Sequence, residues 1–245
     1  MSNKALKPED PITVEEALEV AEEAMMLGSI PQPKDPSEYP QAIAVFPGLG
    51  EWWRIAHAVD MLCQADSRRT THLFITGYNC KEETYVQPTL ENLDLGFLDK
   101  RFTVVVPEAP SEDYTPQQAA WLVRQLVSHG IQNVGLVVSQ YHRLRAYQTL
   151  LKRCLVARLD IDIVPLAPCV SPLTLIPETK QPMMWRYRPE IERLIRYRRK
   201  GDVATHAEFV DAVKQLWLFN HETGLIAEPH LDPWLANPFF EAAGR

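Results

Sequence analysis

Five short apolar runs about 30 residues apart, with helix-like stretches between them, predict an open, doubly wound α/β domain of about five parallel strands. The runs are AIAVF (42–46), HLFIT (72–76), FTVVV (102–106), NVGLVV (133–138) and DIDIVPL (160–166). They are nearly continuous rather than alternating, as expected of strands buried on both faces. Four helix-like segments separate them, among them 53–63 and 116–129.

Before the first strand, ITVEEALEVAEEAMML (12–27) sets apolar residues at helical spacing among acids, and Thr13 with Glu16 forms a capping-box pattern. The next stretch, GSIPQPKDPSEYPQ, holds four prolines, which neither a helix nor a central strand tolerates. Residues 1–40 therefore read as an N-terminal helix and a proline-rich linker. Residues 41–175 carry the strand and helix alternation. Residues 176–245 read as a C-terminal helical extension, with helices expected around 189–200 and 205–218 and then the tail LDPWLANPFFEAAGR. No internal repeat is present.

With 245 residues, 46% hydrophobic and 23% charged, the composition is that of an ordinary globular protein with a sizeable core. A net charge of −7 argues against a general nucleic-acid surface. No apolar run approaches the roughly 18 to 20 residues that span a bilayer. The start MSNKALKPEDP lacks the apolar centre of a signal peptide, so a cytoplasmic location is expected. Cys63, Cys80, Cys154 and Cys169 show no C-x-x-C spacing and read as buried free thiols. The histidines show no H-E-x-x-H spacing, and no metal site is expected.

In open α/β sheets ligands bind at the carboxyl ends of the strands, which directs attention to the loops there. The first loop, Pro47-Gly48-Leu49-Gly50, is a turn whose glycines let a ligand approach the backbone at a helix start, with Arg54 one turn on to meet negative charge. It lacks the G-x-G-x-x-G and G-K-[ST] patterns, and a plain tight turn is the competing reading. The second strand ends in Thr76-Gly77, and its loop offers Asn79, Glu82 and Glu83. The third loop offers Glu108, Ser111 and Asp113 before Thr115-Pro116-Gln117-Gln118. There Thr115 reads first as a helix N-cap, with Gln118 completing a capping box.

The fourth loop, Ser139-Gln140-Tyr141-His142-Arg143-Leu144-Arg145, sets His142 and Arg145 three apart on one helical face. A histidine and an arginine at a helix start suit an anion, and the histidine suits general acid or base chemistry. Arg143 is expected on the solvated face. Ser139 lacks the flanking glycines of a nucleophile elbow. The stretch WRYRPEIERLIRYRRK (185–200) interleaves aromatics with arginines, but the spacing of Ile191, Leu194 and Ile195 favours an amphipathic docking helix over an acidic-partner surface.

Together these loops resemble the YdcF/SanA/ElyC family of proteins of uncharacterised function. The matching pieces are Gly48 and Gly50, Arg54, Thr76-Gly77, an acid at Glu82 or Glu83, Glu108 with Ser111 and Thr115, and Ser139-Gln140-Tyr141-His142 with Arg145-Ala146. They span about residues 41–170. The last motif is the most specific. Departures are Gln118 for the usual asparagine, Asp113 where asparagine or serine is common, and Tyr78 for a second glycine. The resemblance implies a Rossmann-like fold and a polar crevice for a nucleotide-like or S-adenosylmethionine-like ligand. Envelope members of the family carry an amino-terminal membrane helix, so a soluble member is the nearer comparison.

The leading expectation is a YdcF-like protein that binds a small anionic ligand, nucleotide-like or phosphorylated, and catalyses group transfer or hydrolysis on it. In that reading Gly48, Gly50, Arg54, Thr76, Gly77, Asn79, Glu83, Ser111, Thr115, Ser139 and Arg145 hold the ligand. His142 and Glu108 are the catalytic candidates. The alternative is a non-catalytic sensor or interaction module, with partner binding or self-association through the C-terminal helices and the tail residues Trp234, Phe239 and Phe240.

Overall fold

The computed structural model describes residues 7, 9–33, 35, 38–48, 50–76, 102–107 and 114–222, with side chains described to residue 216. Its elements are α1 (Val14–Ser29), β1 (Ala42–Val45), α2 (Trp52–Gln64), β2 (His72–Ile75), β3 (Thr103–Val105), α3 (Thr115–Ser128), β4 (Asn133–Val137), α4 (Arg143–Ala157), β5 (Asp162–Leu166), α5 (Tyr187–Lys200) and α6 (His206–Glu222). Short 3-10 turns at Gln140–His142 and Met183–Arg186 lead into α4 and α5. The interval 77–101, where a further helix-like segment is expected, lies outside the described residues, as does the tail with Trp234, Phe239 and Phe240.

All five strands are parallel, in the order β3-β2-β1-β4-β5. This is the α/β doubly wound sheet that the apolar runs predict. The chain order reverses direction between β1 and β4, and it is at the carboxyl ends of such strands that open α/β sheets bind ligands. Successive side chains of β1 feed opposite faces. Ala42, Ala44 and Phe46 pack with α3 and α4, whereas Ile43 and Val45 pack with Ile55, Ala58 and Leu62 of α2. In β4, Gly135 stands where a Cβ would press on Leu166 and come within 2.8 Å of Pro40, so its missing side chain lets neighbouring segments close over the sheet.

The terminal helices complete the α3 and α4 face. Leu27 of α1 and Phe209, Val213 and Leu216 of α6 join its core, while Val20 of α1 meets Leu194, Ile195 and Val203. Thr13 and Glu16 cap α1 reciprocally, as their spacing predicts. The basic stretch of α5 does find an acidic partner, and that partner is α1 of the same chain. Arg198 donates to both oxygens of the fully buried Glu23 at 2.6 and 2.7 Å, which also accepts from Gln148 of α4 at 2.7 Å. Arg199 donates to both oxygens of Glu16 at 2.7 and 2.8 Å and to the carbonyls of Lys7, Asp10 and Pro11.

Of the cysteines, Cys154 is buried and its thiol is pushed up to about 12 by burial. Cys63 and Cys169 are exposed, contrary to the expectation of buried thiols, because one lies on the outer side of α2 and the other in the loop after β5. Cys80 lies outside the described residues. Among the described residues no helix is long and apolar enough to cross a membrane, and no group of three or more metal-ligating side chains converges.

Hydrogen bonds from Arg199 hold the Glu16 carboxyl down at about 2, against an ordinary value of 4.5. A carboxyl depressed by folding contributes stability that is complete above its unfolded pKa and is lost as pH falls through the folded value. The α1–α5 junction is therefore expected to loosen as pH falls from 4.5 toward 2. Amide exchange in α1 measured down that range checks this: protection falls in the native chain, and Glu16→Gln starts with less protection and loses less of it.

Candidate functional site

The carboxyl ends of β1 and β4 meet over a cluster of buried polar side chains, and its centre is an ion pair. Glu51 precedes the first residue of α2 and Arg54 lies three residues on, so both project back toward the strand ends. They are 2% and 1% exposed. Arg54 Nη2 donates to Glu51 Oε1 at 2.7 Å, Nε to Ser139 Oγ at 2.9 Å, and Nη1 to the Phe46 carbonyl at 2.6 Å. Glu51 also accepts from Tyr141 Oη at 2.6 Å and, in a short contact, from Ser139 Oγ. A buried guanidinium is tolerated only when its donors and its charge are met, and here both are.

The glycines of the first loop make room for this pair. A Cβ on Gly48 would overlap the Glu51 carboxylate and lie 2.8 Å from Arg54 Nη2. Gly50 holds φ at +73°, a left-handed conformation that glycine adopts without strain. The negative charge expected at this helix start is thus present, supplied by the chain's own carboxylate.

His142 closes the 3-10 turn after β4 and is 8% exposed. Its Nδ1 lies 3.5 Å from Arg54 Nη1 and its Nε2 lies 3.4 Å from Thr115 Oγ1. A guanidinium has no lone pair, so Nδ1 is assigned as the bare acceptor nitrogen and Nε2 as the protonated one. Burial first, then the charges of Arg145, Arg54, Arg193 and Arg186, hold the imidazole pKa well below 6.5. His142 is therefore neutral at physiological pH. Burial likewise raises the Tyr141 hydroxyl, which stays protonated and donates to Glu51.

Arg145 shares the His142 face, as their spacing of three predicts. Its Nη1 donates to Thr115 Oγ1 at 3.1 Å and its Nε to Glu190 Oε2 of α5 at 2.6 Å. Glu190 also accepts from Arg193 at 2.8 Å. Among the described residues the paired groups here are Arg54, Arg145 and the half-exposed Arg193 with Glu51 and Glu190. Arg186 adds to the positive field on His142, and its buried Nε has no hydrogen-bond partner among the described residues.

Several candidates from the sequence converge here and others do not. Gly48, Gly50, Arg54, Thr115, Ser139, His142 and Arg145 surround the β1/β4 crevice. Thr76 is fully buried, but its Oγ1 donates to the Val45 carbonyl at 3.0 Å and ties the end of β2 to β1. Ser139 accepts from Trp53 Nε1 at 3.0 Å and from Arg54 while donating to Glu51, so its hydroxyl is fully engaged in positioning. Gly77, Asn79, Glu82, Glu83, Glu108 and Ser111 lie outside the described residues.

Two expectations are corrected. Helix α3 begins one residue earlier than the capping pattern implies: its N-cap is Tyr114, whose N–H donates to Gln117 Oε1 at 3.3 Å. Thr115 is thereby freed to face Arg145 and His142, and Gln118 is buried. Arg143 is not on the solvated face. It is half-buried, with its guanidinium at the carboxyl end of α1, because the 3-10 turn rotates the start of α4 toward that helix. Glu51, Tyr141 and Glu190 are cluster members that sequence reasoning did not single out. The three-residue spacing of Glu51 and Arg54 is a readable signal, whereas nothing local links Glu190 to Arg145. Comparisons with known protein families, curated proteins and solved structures find no match to this chain.

Removing Glu51 would leave Arg54 buried without its counter-charge, which costs about 3–5 kcal/mol. Urea denaturation of Glu51→Ala is expected to show a loss of that order. The double variant Glu51→Leu with Arg54→Met is expected to lose less than Glu51→Ala alone, because the uncompensated charge is gone.

Proposed function

We propose that the chain is a YdcF-like cytoplasmic protein that binds a small anionic ligand, nucleotide-like or phosphorylated, over the carboxyl ends of β1 and β4. The observation that carries this reading is the buried His142 beside the Arg54 guanidinium, on one helical face with Arg145, where the strand order reverses. The arginines whose charges bear on His142, namely Arg145, Arg54, Arg193 and Arg186, support an anion. Thr115 and Arg145 offer hydroxyl and guanidinium contacts. S-adenosylmethionine, with its carboxylate and nucleoside, is the second ligand class of this reading.

His142 fits general acid or base work in group transfer or hydrolysis. A neutral imidazole accepts a proton as general base and, once protonated, returns it as the acid in a later step. Glu108 is the second catalytic candidate. The sensor reading has its own support: the large apolar side chains of Leu173, Leu175, Met184 and Trp185 are all exposed in the segment before α5, where a protein partner would cover them. Turnover separates the two readings, because a sensor binds without forming product.

Calorimetric titration with ADP, inorganic phosphate and S-adenosylmethionine tests the site. At least one probe is expected to bind, and His142→Ala is expected to weaken it at least tenfold, about 1.4 kcal/mol, with the circular dichroism spectrum unchanged. Failure of all three to bind, or equal affinity in the folded variant, rejects the assignment. Mass spectrometry of the mixtures then decides between enzyme and sensor.

A further inference from the structure

A cavity of about 440 Å³ lies between α1, the start of α4 and α5, within the size range of small-molecule pockets. Its α1 wall carries Ala17, Ala21 and Ala24, whose small side chains leave open space between the helices. Leu27 and Leu194 extend the apolar lining. Helices α1 and α5 run antiparallel here, since Glu16 pairs with Arg199 while Gly28 lies toward the Arg143 and Tyr187 end.

That end is polar. A Cβ on Gly28 would sit 3.5 Å from Arg143 Nη2, which places this guanidinium at the carboxyl terminus of α1. Tyr187 and Gln140 line the cavity beside it. The other arginine that lines the cavity, Arg145, has Glu190, and Arg198 and Arg199 at the far end of α5 have Glu23 and Glu16. Arg143 has no carboxylate within salt-bridge distance among the described residues, although it is half-buried and burial works against its charge. The α1 terminus supplies partial negative charge only, and the formal charge is left unmatched.

We propose that this cavity binds a single-headed anionic amphiphile, with its acidic head at Arg143 and its hydrocarbon tail along the alanine face of α1. A full negative charge matches the unpaired guanidinium, and the apolar walls match a chain. From Leu27 back to Ala17 the helix covers ten residues, or about 15 Å, the reach of a medium-length fatty acid. The cavity shares Tyr141, Arg145 and Glu190 with the edge of the Glu51–Arg54 cluster, but its head and tail sites at Arg143 and α1 lie beyond it and do not depend on the function proposed for it.

Dodecanoate and dodecanol, each below its aggregation limit, are the probes, titrated into the full chain by calorimetry. Dodecanoate is expected to bind saturably and more tightly than dodecanol. Arg143→Leu should weaken dodecanoate at least tenfold while leaving dodecanol within twofold. Ala21→Trp, at an exposed position that tolerates bulk without unfolding, should weaken both at least tenfold, and Ala24→Leu serves if the tryptophan variant is poorly folded. Absence of saturable dodecanoate binding overturns the proposal. So does equal binding by wild type and both variants, which marks non-specific uptake. Self-association that Ala21→Trp abolishes, without fatty-acid binding, also overturns it by assigning the groove to a second copy.

Discussion

Arg54 is 1% exposed beneath the ends of β1 and β4, and a guanidinium reaches such a place only with a carboxylate and a full set of acceptors. Glu51 supplies the charge, the Phe46 carbonyl accepts at the end of β1, and Ser139 accepts at the end of β4. One side chain thereby ties together the two strands whose order creates the crevice. Gly48 is glycine because the carboxylate lies against its backbone, Tyr141 is turned inward to donate to the same carboxylate, and His142 follows it into the cluster. Remove the pair and each of these placements loses its reason.

The cluster does not end with the strands. Glu190 reaches it from α5, a helix docked by Leu194 and Ile195 against Val20 and by Arg198 and Arg199 against the acids of α1. Arg145 is thus oriented by an element that itself depends on α1. The flanking helices thus touch the cluster through the buried Arg145–Glu190 salt bridge, and α1 also holds α4 through Glu23 and Gln148.

The fold was largely legible because its signals are local. Near-continuous apolar runs mark strands covered on both faces, and their centres agree with β1 to β5 even where the ends shift by a residue or two. The Thr13 and Glu16 cap is written in four consecutive positions. The site was legible only in part. His142 and Arg145 share a face by helical arithmetic, but Arg54 reads as a free cation until Glu51 and Ser139 surround it, and Ser139 is 85 residues away. Glu190 meets Arg145 across 45 residues, and a single sequence carries no mark of that pairing. Thr115 and Arg143 misled for a shared reason: a one-residue shift of a helix start, or one 3-10 turn, rotates a side chain to another face. A local pattern does not resolve such a rotation.

The central claim is that burial between Arg54 and Arg145 keeps His142 neutral with a bare Nδ1. A long-range proton–nitrogen NMR spectrum of the imidazole, recorded from about pH 5 to 8 across the ordinary histidine pKa near 6.5, tests it directly. The account predicts an unprotonated Nδ1 and a protonated Nε2 resonance at pH 7, with any titration centred well below 6.5. A titration with a midpoint at or above 6.5, or a proton on Nδ1, would contradict it.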